Sequence, residues 1–275
     1  MSFYNSGNHR LSDGDMDFLV ETVSPRIRDK LRLKQILRDD DDFAGAFISD
    51  ERLFRRVMDD DEVLLRISPT LFFEVLLRRV ANDLETMRFT VEKTGTLKIP
   101  VFDAKDVVEV LAKDSVIGYL ADMLSSFTKI KAYVVSLRIR KGIWKKFRFN
   151  DLDIQSLKRI CGAVDEAFRF GLYKRIADIC LFVLGIFPEY AERDYRYPFS
   201  GQIRPSIRGR PRIRPEDYER EGRKFYKMAS EHPSAKKLEV SAVLWSLHEN
   251  FQHARKPLNV IAERYLAQKR LRVFL

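Results

Sequence analysis

The sequence is poor in cysteine and histidine, with two and four residues respectively among 275. Two cysteines are too few for a disulfide framework, and Cys161 and Cys180 both lie in apolar helical patterns, so we expect buried free thiols. The histidines lack the paired spacing of zinc ligands. His248 and His253 are separated by about 140° around a helix, which is too far for a shared metal. The sequence predicts no metal site and no cofactor.

The sequence also has no uncharged apolar run of the ~18 to 20 residues that cross a bilayer. Residues 1–17 contain no apolar stretch like that of a secretory signal. We therefore expect a soluble, cytoplasmic protein without a membrane partner. Asparagine and glutamine together number only 11, whereas there are 31 arginines and 19 lysines. Few amides with many charges are typical of proteins from a thermophilic source.

Enzyme motifs are absent as well, since there is no Gly-rich phosphate loop, nucleophile elbow or dinucleotide-binding fingerprint. Asp178 is the one acid in the apolar segment 176–187. A buried carboxylate is a candidate general acid or base, but Lys174, four residues earlier, favours a structural ion pair. Glu249 and His253 have the spacing of an ordinary helix-surface pair. We assign no catalytic residue, and an enzyme of unknown class is the least favoured interpretation.

Charge is abundant but unevenly placed. The net charge is +10, yet residues 1–130 hold 19 basic and 24 acidic side chains, whereas residues 131–275 hold 31 and 16. Residues 131–148 contain seven basic side chains and no acid, and residues 193–214 contain seven arginines and one aspartate. We therefore distinguish an acidic, mostly helical N-terminal part, 1–130, from a basic helical C-terminal part, 131–275. One continuous domain also fits the pattern.

Apolar periodicity predicts a mainly α fold, a multi-helix bundle with small β-hairpins at about 87–103 and 132–149. Ser68 and Pro69 are expected to open a core helix, and Asn150 to cap another. A predicted helix at 172–187 is apolar almost all round from Ile176 onward, as in the centre of a bundle. The acidic runs 39–42 and 59–62 are expected at solvated helix ends. Three helices, near 216–230, 234–255 and 258–270, are predicted to close the chain.

Residues 131–149 alternate in a way that favours strands. A three-residue loop, 140–142, would pair Val135 with Phe147 and Ile139 with Ile143. That register predicts one mainly apolar face and one basic face. Four residues of the basic face suit single-stranded nucleic acid by combining cations with a stacking ring: Arg138, Trp144, Lys146 and Arg148. Packing of the tryptophan under a neighbouring helix is the alternative.

Residues 191–215 are predicted to form a long loop with seven arginines and four prolines. Pro205, Pro211 and Pro215 would hold the backbone extended, and guanidinium groups spaced along an extended strand suit phosphates. The candidate nucleic-acid-binding residues of this loop are Arg204, Arg208, Arg210, Arg212 and Arg214. Three isoleucines in the same loop also fit an intramolecular or subunit clamp, and a solvated loop is the third interpretation.

The segment LFVLGIFPEY, 181–190, is followed by Tyr218, Gly222, Phe225 and Tyr226 in DYEREGRKFY. This pattern resembles the C-terminal part of an uncharacterised prokaryotic α-helical family, over roughly the last hundred residues. Its motif residues are packing residues rather than chemical ones. The resemblance therefore implies a helical fold and carries no activity.

Three functions fit these observations. The favoured one is non-specific binding of DNA or RNA by the basic hairpin and the arginine-rich loop, because phosphate contacts carry no sequence information. The second is an adaptor or a subunit of an assembly, either with a protein partner or as a homo-oligomer, in which the acidic half meets a basic half. The third is the enzyme considered above.

Overall fold

The computed structural model describes residues 11–94, 97–128, 132–140, 143–150, 153–189, 191 and 213–267. They fall into two compact units, one formed by residues 132–255 and the other by residues 11–128 together with 256–267. The fold is mainly helical, with two separate two-stranded antiparallel sheets, which confirms the predicted fold class. None of the described helices is both long and apolar enough to span a membrane.

The unit built from residues 11–128 and 256–267, here the N-terminal unit, packs its helices around a long central helix, α5. Its elements are α1 (Asp13–Val23), α2 (Lys30–Asp39), α3 (Asp41–Ile48), α4 (Glu51–Asp59), a 3-10 turn (Val63–Leu65), α5 (Pro69–Thr86), β1 (Thr90–Thr94), β2 (Leu97–Val101), α6 (Ala104–Leu111) and α7 (Asp114–Ser126).

Helix starts in the N-terminal unit follow from side-chain caps. Ser68 Oγ accepts from the amide of Leu71 at 3.1 Å and Pro69 occupies the first turn, so α5 begins where the sequence predicts. Asp40 accepts from the amide of Phe43 at 2.9 Å, which makes the first acidic run a helix start as expected. Asp15, fully buried, accepts from the amide of Ser68 at 2.7 Å and so ties the start of α1 to that of α5.

The unit formed by residues 132–255, here the C-terminal unit, has α9 at its centre, packed against α8 and α10. Its elements are β3 (Ala132–Arg140), β4 (Ile143–Asn150), α8 (Ile154–Ala163), a 3-10 turn (Glu166–Phe168), α9 (Phe170–Ile186), α10 (Pro215–Glu231), α11 (Pro233–Lys237), α12 (Ser241–Glu249) and the start of α13 (Phe251–Val260). The residues of α13 from 256 onward, and the π-helical segment (Ile261–Leu266) that continues the helix, belong to the N-terminal unit. From Tyr173 to Ile186 every residue of α9 is buried, as the all-round apolar pattern predicts from Ile176 onward.

Close helix contacts explain the small residue in the middle of α10. A Cβ built on Gly222 would overlap Cε2 of Phe251 and lie 2.9 Å from Cβ of Cys180. Glycine is thus the residue that lets α10 approach α9 and the start of α13. Cys180 is completely buried and Cys161 nearly so, both as free thiols, which confirms that prediction. Burial raises the pKa of the Cys161 thiol to about 11.

Three predicted helices have different bounds in the structure. Asn150 ends β4, and α8 is capped by Asp153, whose carboxylate accepts from the amide of Ser156 at 3.1 Å. The predicted helix 234–255 is broken twice. Glu239 adopts a left-handed φ of 55°, and the amide of Val240 donates to the carbonyl of Ala235 at 3.0 Å, so α11 ends in a Schellman motif.

The second break and the last helix differ from the prediction too. Asn250 separates α12 from α13. Pro257 lies inside α13 instead of opening a new helix at about 258. The ring removes a backbone donor from this stretch, and the residues that follow it form the π-helical segment.

Candidate nucleic-acid interface

The β3–β4 hairpin carries the first predicted binding residues. Val135 lies opposite Phe147, as predicted, and Arg138 lies opposite Trp144. Nearer the turn the predicted pairing of Ile139 with Ile143 is wrong. A β-bulge shifts the register between Arg138 and Arg140, so that Arg140 lies opposite Ile143.

This register places the predicted basic residues on one face of the hairpin. Directly paired residues share a face and successive residues alternate between faces. Arg138 and Trp144 are paired, and Lys146 and Arg148 follow at alternate positions of β4. The four therefore occupy positions on one face, as the sequence predicts. Their side chains lie outside the described residues.

The arginine-rich loop contributes one described binding candidate, since Arg204, Arg208, Arg210 and Arg212 lie outside the described residues. Arg214 is exposed and immediately precedes α10. Its guanidinium donates to both carboxylate oxygens of Asp217, with Nε at 2.9 Å from Oδ2 and Nη2 at 3.1 Å from Oδ1. This contact lowers the pKa of Asp217, which therefore stays ionised.

A basic stripe runs along α10 and was not predicted from the sequence. It comprises Arg220, Arg223, Lys224 and Lys227, which are all exposed. Their spacing of three, four and seven residues confines them to an arc of about 100° on the helix. Asp217 binds Arg220, and Glu231 lies 3.9 Å from Lys227.

An exposed tryptophan lies beside this basic stripe. Trp245, on α12, retains 39% of its accessible surface. The ammonium of Lys227 lies 5.9 Å from the centroid of its ring, within the range of a cation–π contact. The ring of His248, one turn later on α12, lies 5.1 Å from it at an angle of 55°. An aromatic ring therefore lies beside a cation and an imidazole on an exposed surface.

Two hydrogen bonds join the basic stripe to the helix that carries the tryptophan. Arg223 Nε donates to the carbonyl oxygen of His248 at 3.2 Å, and Nδ1 of His248 donates to the carbonyl oxygen of Arg223 at 2.9 Å. The first bond satisfies a carbonyl in the last turn of α12, which has no partner within its own helix. The stripe and the ring of Trp245 are thus held in a fixed relation.

The side chains on this surface are of the types that can contact phosphates and bases. Guanidinium and ammonium groups bind phosphate oxygens by charge-assisted hydrogen bonds. An exposed indole offers a face on which a nucleotide base can stack. The spacing of the cations in EREGRKFYK is the signal that sequence reasoning missed. Five acids in the same helix outnumber its four basic residues, and so conceal the stripe from a count of charge by segment.

The acid singled out by the sequence, Asp178, is buried and bound. Its side chain is almost fully inaccessible, and Lys174 Nζ lies 2.6 Å from Oδ2, which bears out the predicted ion pair. Tyr226, from α10, donates to Oδ1 at 3.0 Å. These contacts use both carboxylate oxygens inside the helix packing, and the arrangement is that of a structural cluster.

Grouped metal ligands do not occur in the part of the chain that the structure describes. His248 binds a backbone carbonyl, as above. His232 is buried, its Nδ1 accepts from the amide of Ser234 at 3.1 Å, and its Nε2 lies 3.0 Å from the carbonyl oxygen of Glu166. Both of these rings therefore have roles within the fold.

Comparison with known proteins adds no family. No protein-family model, no curated protein and no solved structure is significantly similar to the chain. The resemblance of its C-terminal residues to a prokaryotic helical family stays a prediction. Three of the residues that carry it, Gly222, Phe225 and Tyr226, are buried in the packing of α10.

Proposed function

We propose that the protein binds nucleic acid without sequence specificity through its C-terminal unit. The observation that carries this proposal is the exposed ring of Trp245 beside the basic stripe, Arg220, Arg223, Lys224 and Lys227. Cations supply the affinity for phosphates, and a ring supplies a contact that any base can make. Neither contact distinguishes one base sequence from another.

The proposed interface includes the two elements predicted from the sequence. Arg214, at the end of the arginine-rich loop, immediately precedes α10. From Arg214 to Lys227 a helix rises about 20 Å. The stripe therefore begins at Arg220, six residues after Arg214, on the helix that follows the loop. The basic face of the hairpin, with Arg138 opposite Trp144, belongs to the same unit.

Charge-removing variants with a matched control test the proposal. We expect a fluorescent single-stranded oligonucleotide to bind at low salt. The logarithm of its binding constant should fall linearly with the logarithm of the salt concentration, and the slope of this plot reports the number of phosphate contacts. Arg223→Gln with Lys224→Gln should reduce the slope by about 1.4, at about 0.7 per phosphate contact on a single strand. Arg159→Gln is the control, because Arg159 is exposed on α8 of the same unit and outside the stripe. Absence of binding at low salt would refute the proposal.

The contributions of the predicted elements separate in the same assay. Replacing Arg138, Lys146 and Arg148 by glutamine tests the hairpin. Replacing Arg208, Arg210 and Arg212 by alanine tests the loop. A reduced salt slope in either set assigns phosphate contacts to that element, and an unchanged slope removes the element from the interface.

A second candidate function, assembly with another protein chain, is favoured by an apolar face on the β1–β2 hairpin. Phe102 is 80% exposed and its ring lies 6.2 Å from that of Phe89. Val91 and Pro100, paired opposite each other, lie on the same face. Exposed apolar patches of this kind mark contact sites. A molar mass above 32.3 kDa in solution that falls to the monomer value in Phe102→Ser would support this function for a second copy.

A further inference from the structure

We infer that Trp245 is a stacking site for an unpaired base, so that the protein prefers single-stranded nucleic acid to duplex. The inference rests on the proposed function and specifies the polymer that it takes. Its structural basis is the juxtaposition of the indole with Lys227 on one neighbouring helix and His248 on its own.

The indole is presented by a rigid support. Val243, Leu244 and Leu247, the apolar neighbours of Trp245 on α12, are buried and anchor the helix to the unit. The bonds between Arg223 and His248 fix α12 against α10. A ring on such a support loses little freedom when a ligand covers it, so most of the stacking free energy appears as affinity.

The surroundings of the ring match a nucleotide. A base that stacks on the indole takes the place next to the ring that the ammonium of Lys227 occupies, 5.9 Å from the centroid. The lysine stem rotates freely, so the ammonium can move to the phosphate of the same nucleotide. The exposed side chain of Lys224, on the same arc of α10, supplies a second cation for the neighbouring phosphate.

Duplex nucleic acid does not satisfy this site equally well. In a duplex the faces of the bases are covered by their neighbours, and a base must be unstacked before an aromatic side chain can cover it. Trp245 stands on the outer surface of a helix, from which it reaches an unpaired base without that cost. The cations bind both polymers, whereas the ring adds affinity for the single strand alone.

The fluorescence of Trp245 itself tests the inference. The chain has two tryptophans, so Trp144→Phe leaves Trp245 as the only indole. We expect oligothymidine of about 15 nucleotides to quench the emission of this variant, and a duplex of equal length at the same salt to leave it nearly unchanged. Equal quenching by both polymers, or none by either although both bind, would overturn the inference.

Affinity measurements provide a second test of the inference. Trp245→Ala should weaken binding of the single strand about 10-fold and leave the duplex affinity unchanged, since one stacked base contributes a factor of that order. Trp245→Phe should retain most of the affinity. Phe168→Ala is the matched control, because Phe168 is 73% exposed in the same unit and lies outside the stripe.

The two proposals fail in different ways. If neither polymer binds at low salt, the proposed function and the inference both fall. If both polymers bind, respond to Arg223→Gln with Lys224→Gln, and lose the same factor or nothing in Trp245→Ala, the proposed function stands and the preference for single strands is refuted.

Discussion

Arg223 and His248 exchange hydrogen bonds through one side-chain nitrogen and one carbonyl oxygen each, across the contact between α10 and α12. The pair joins the basic stripe to the helix that presents Trp245. It also fixes the imidazole, because the ring must carry its proton on Nδ1 to donate to a carbonyl. A contact between the exposed faces of two helices thus determines the geometry of the proposed interface.

The bond from His248 predicts a difference between two amide substitutions. Asparagine places an N–H donor near the position of Nδ1, whereas the amide of glutamine lies farther from the backbone. We expect His248→Asn to keep most of the stability and His248→Gln to lower the free energy of unfolding by about 1 kcal/mol, the usual contribution of one hydrogen bond. Urea denaturation measures both. Equal stability of the two variants would show that the bond contributes nothing.

Gly222 and Gly162 predict opposite effects of the same substitution. A Cβ on Gly222 would overlap the ring of Phe251, whereas one on Gly162 meets no atom within 4 Å. Gly222→Ala should therefore destabilise the C-terminal unit by about 1 to 3 kcal/mol through overpacking. Gly162→Ala should stabilise it by about 0.5 to 1 kcal/mol, because alanine is the better helix former.

Thermal unfolding of the two variants beside the wild type separates these effects. A lower melting temperature for Gly222→Ala and a higher one for Gly162→Ala is the expected pattern. Tolerance of alanine at position 222 would contradict the close approach of α10 to α9 and α13.

The sequence predicts the core elements of this fold well, because burial and capping leave local signals. Ser68 followed by Pro69 marks a helix start, and the all-round apolar pattern of 176–187 marks the central helix of a unit. The predicted pairing of Val135 with Phe147 also holds. In each case the residues that determine the structural feature lie within one short segment of the sequence.

Tertiary context explains the features that were not predicted. The break at Glu239 uses a left-handed residue that is not glycine, so no turn signal precedes α12. If that break is not foreseen, the apolar spacing of Val243, Leu244 and Leu247 predicts one long buried helix. Trp245 is then assigned to this helix, and its exposure is not predicted. The stripe on α10 becomes visible only when the cations are placed around the helix instead of summed along it.

Removal of Asp178 should be severely destabilising. Its carboxylate accepts from Lys174 and Tyr226 in a buried site, and breaking a buried ion pair from one side costs about 3 to 5 kcal/mol. We expect that loss for Asp178→Ala and about 1.5 to 3 kcal/mol for Tyr226→Phe, which removes one bond to a charged group.

A double variant distinguishes a buried charge from a packing defect in this cluster. Asp178→Leu combined with Lys174→Met removes both charges and should recover much of the stability lost in Asp178→Leu alone. Urea denaturation of the two single variants and the double variant gives the coupling free energy between the positions. Strictly additive losses would mean that the two side chains do not interact.

Tyr265 should make the N-terminal unit sensitive to alkali. Burial and the hydrogen bond that its hydroxyl donates to Asp83 at 2.8 Å raise the pKa of Tyr265 to about 12, above its ordinary value of 10. A raised pKa means that the folded state holds the proton more tightly than the unfolded chain. The associated stability is complete below pH 10 and is lost as the pH rises from 10 to 12.

Tyr265→Phe removes this titration while keeping the ring that packs edge-on against Phe54, with centroids 5.4 Å apart. The variant should lose about 1.5 to 3 kcal/mol at neutral pH, from the missing hydrogen bond to a carboxylate, but should lose less stability than the wild type between pH 10 and 12. Melting temperatures across that range measure the difference, and phenolate absorbance identifies the late-titrating tyrosine that disappears in the variant. Parallel alkaline losses in both proteins would assign the sensitivity to another group.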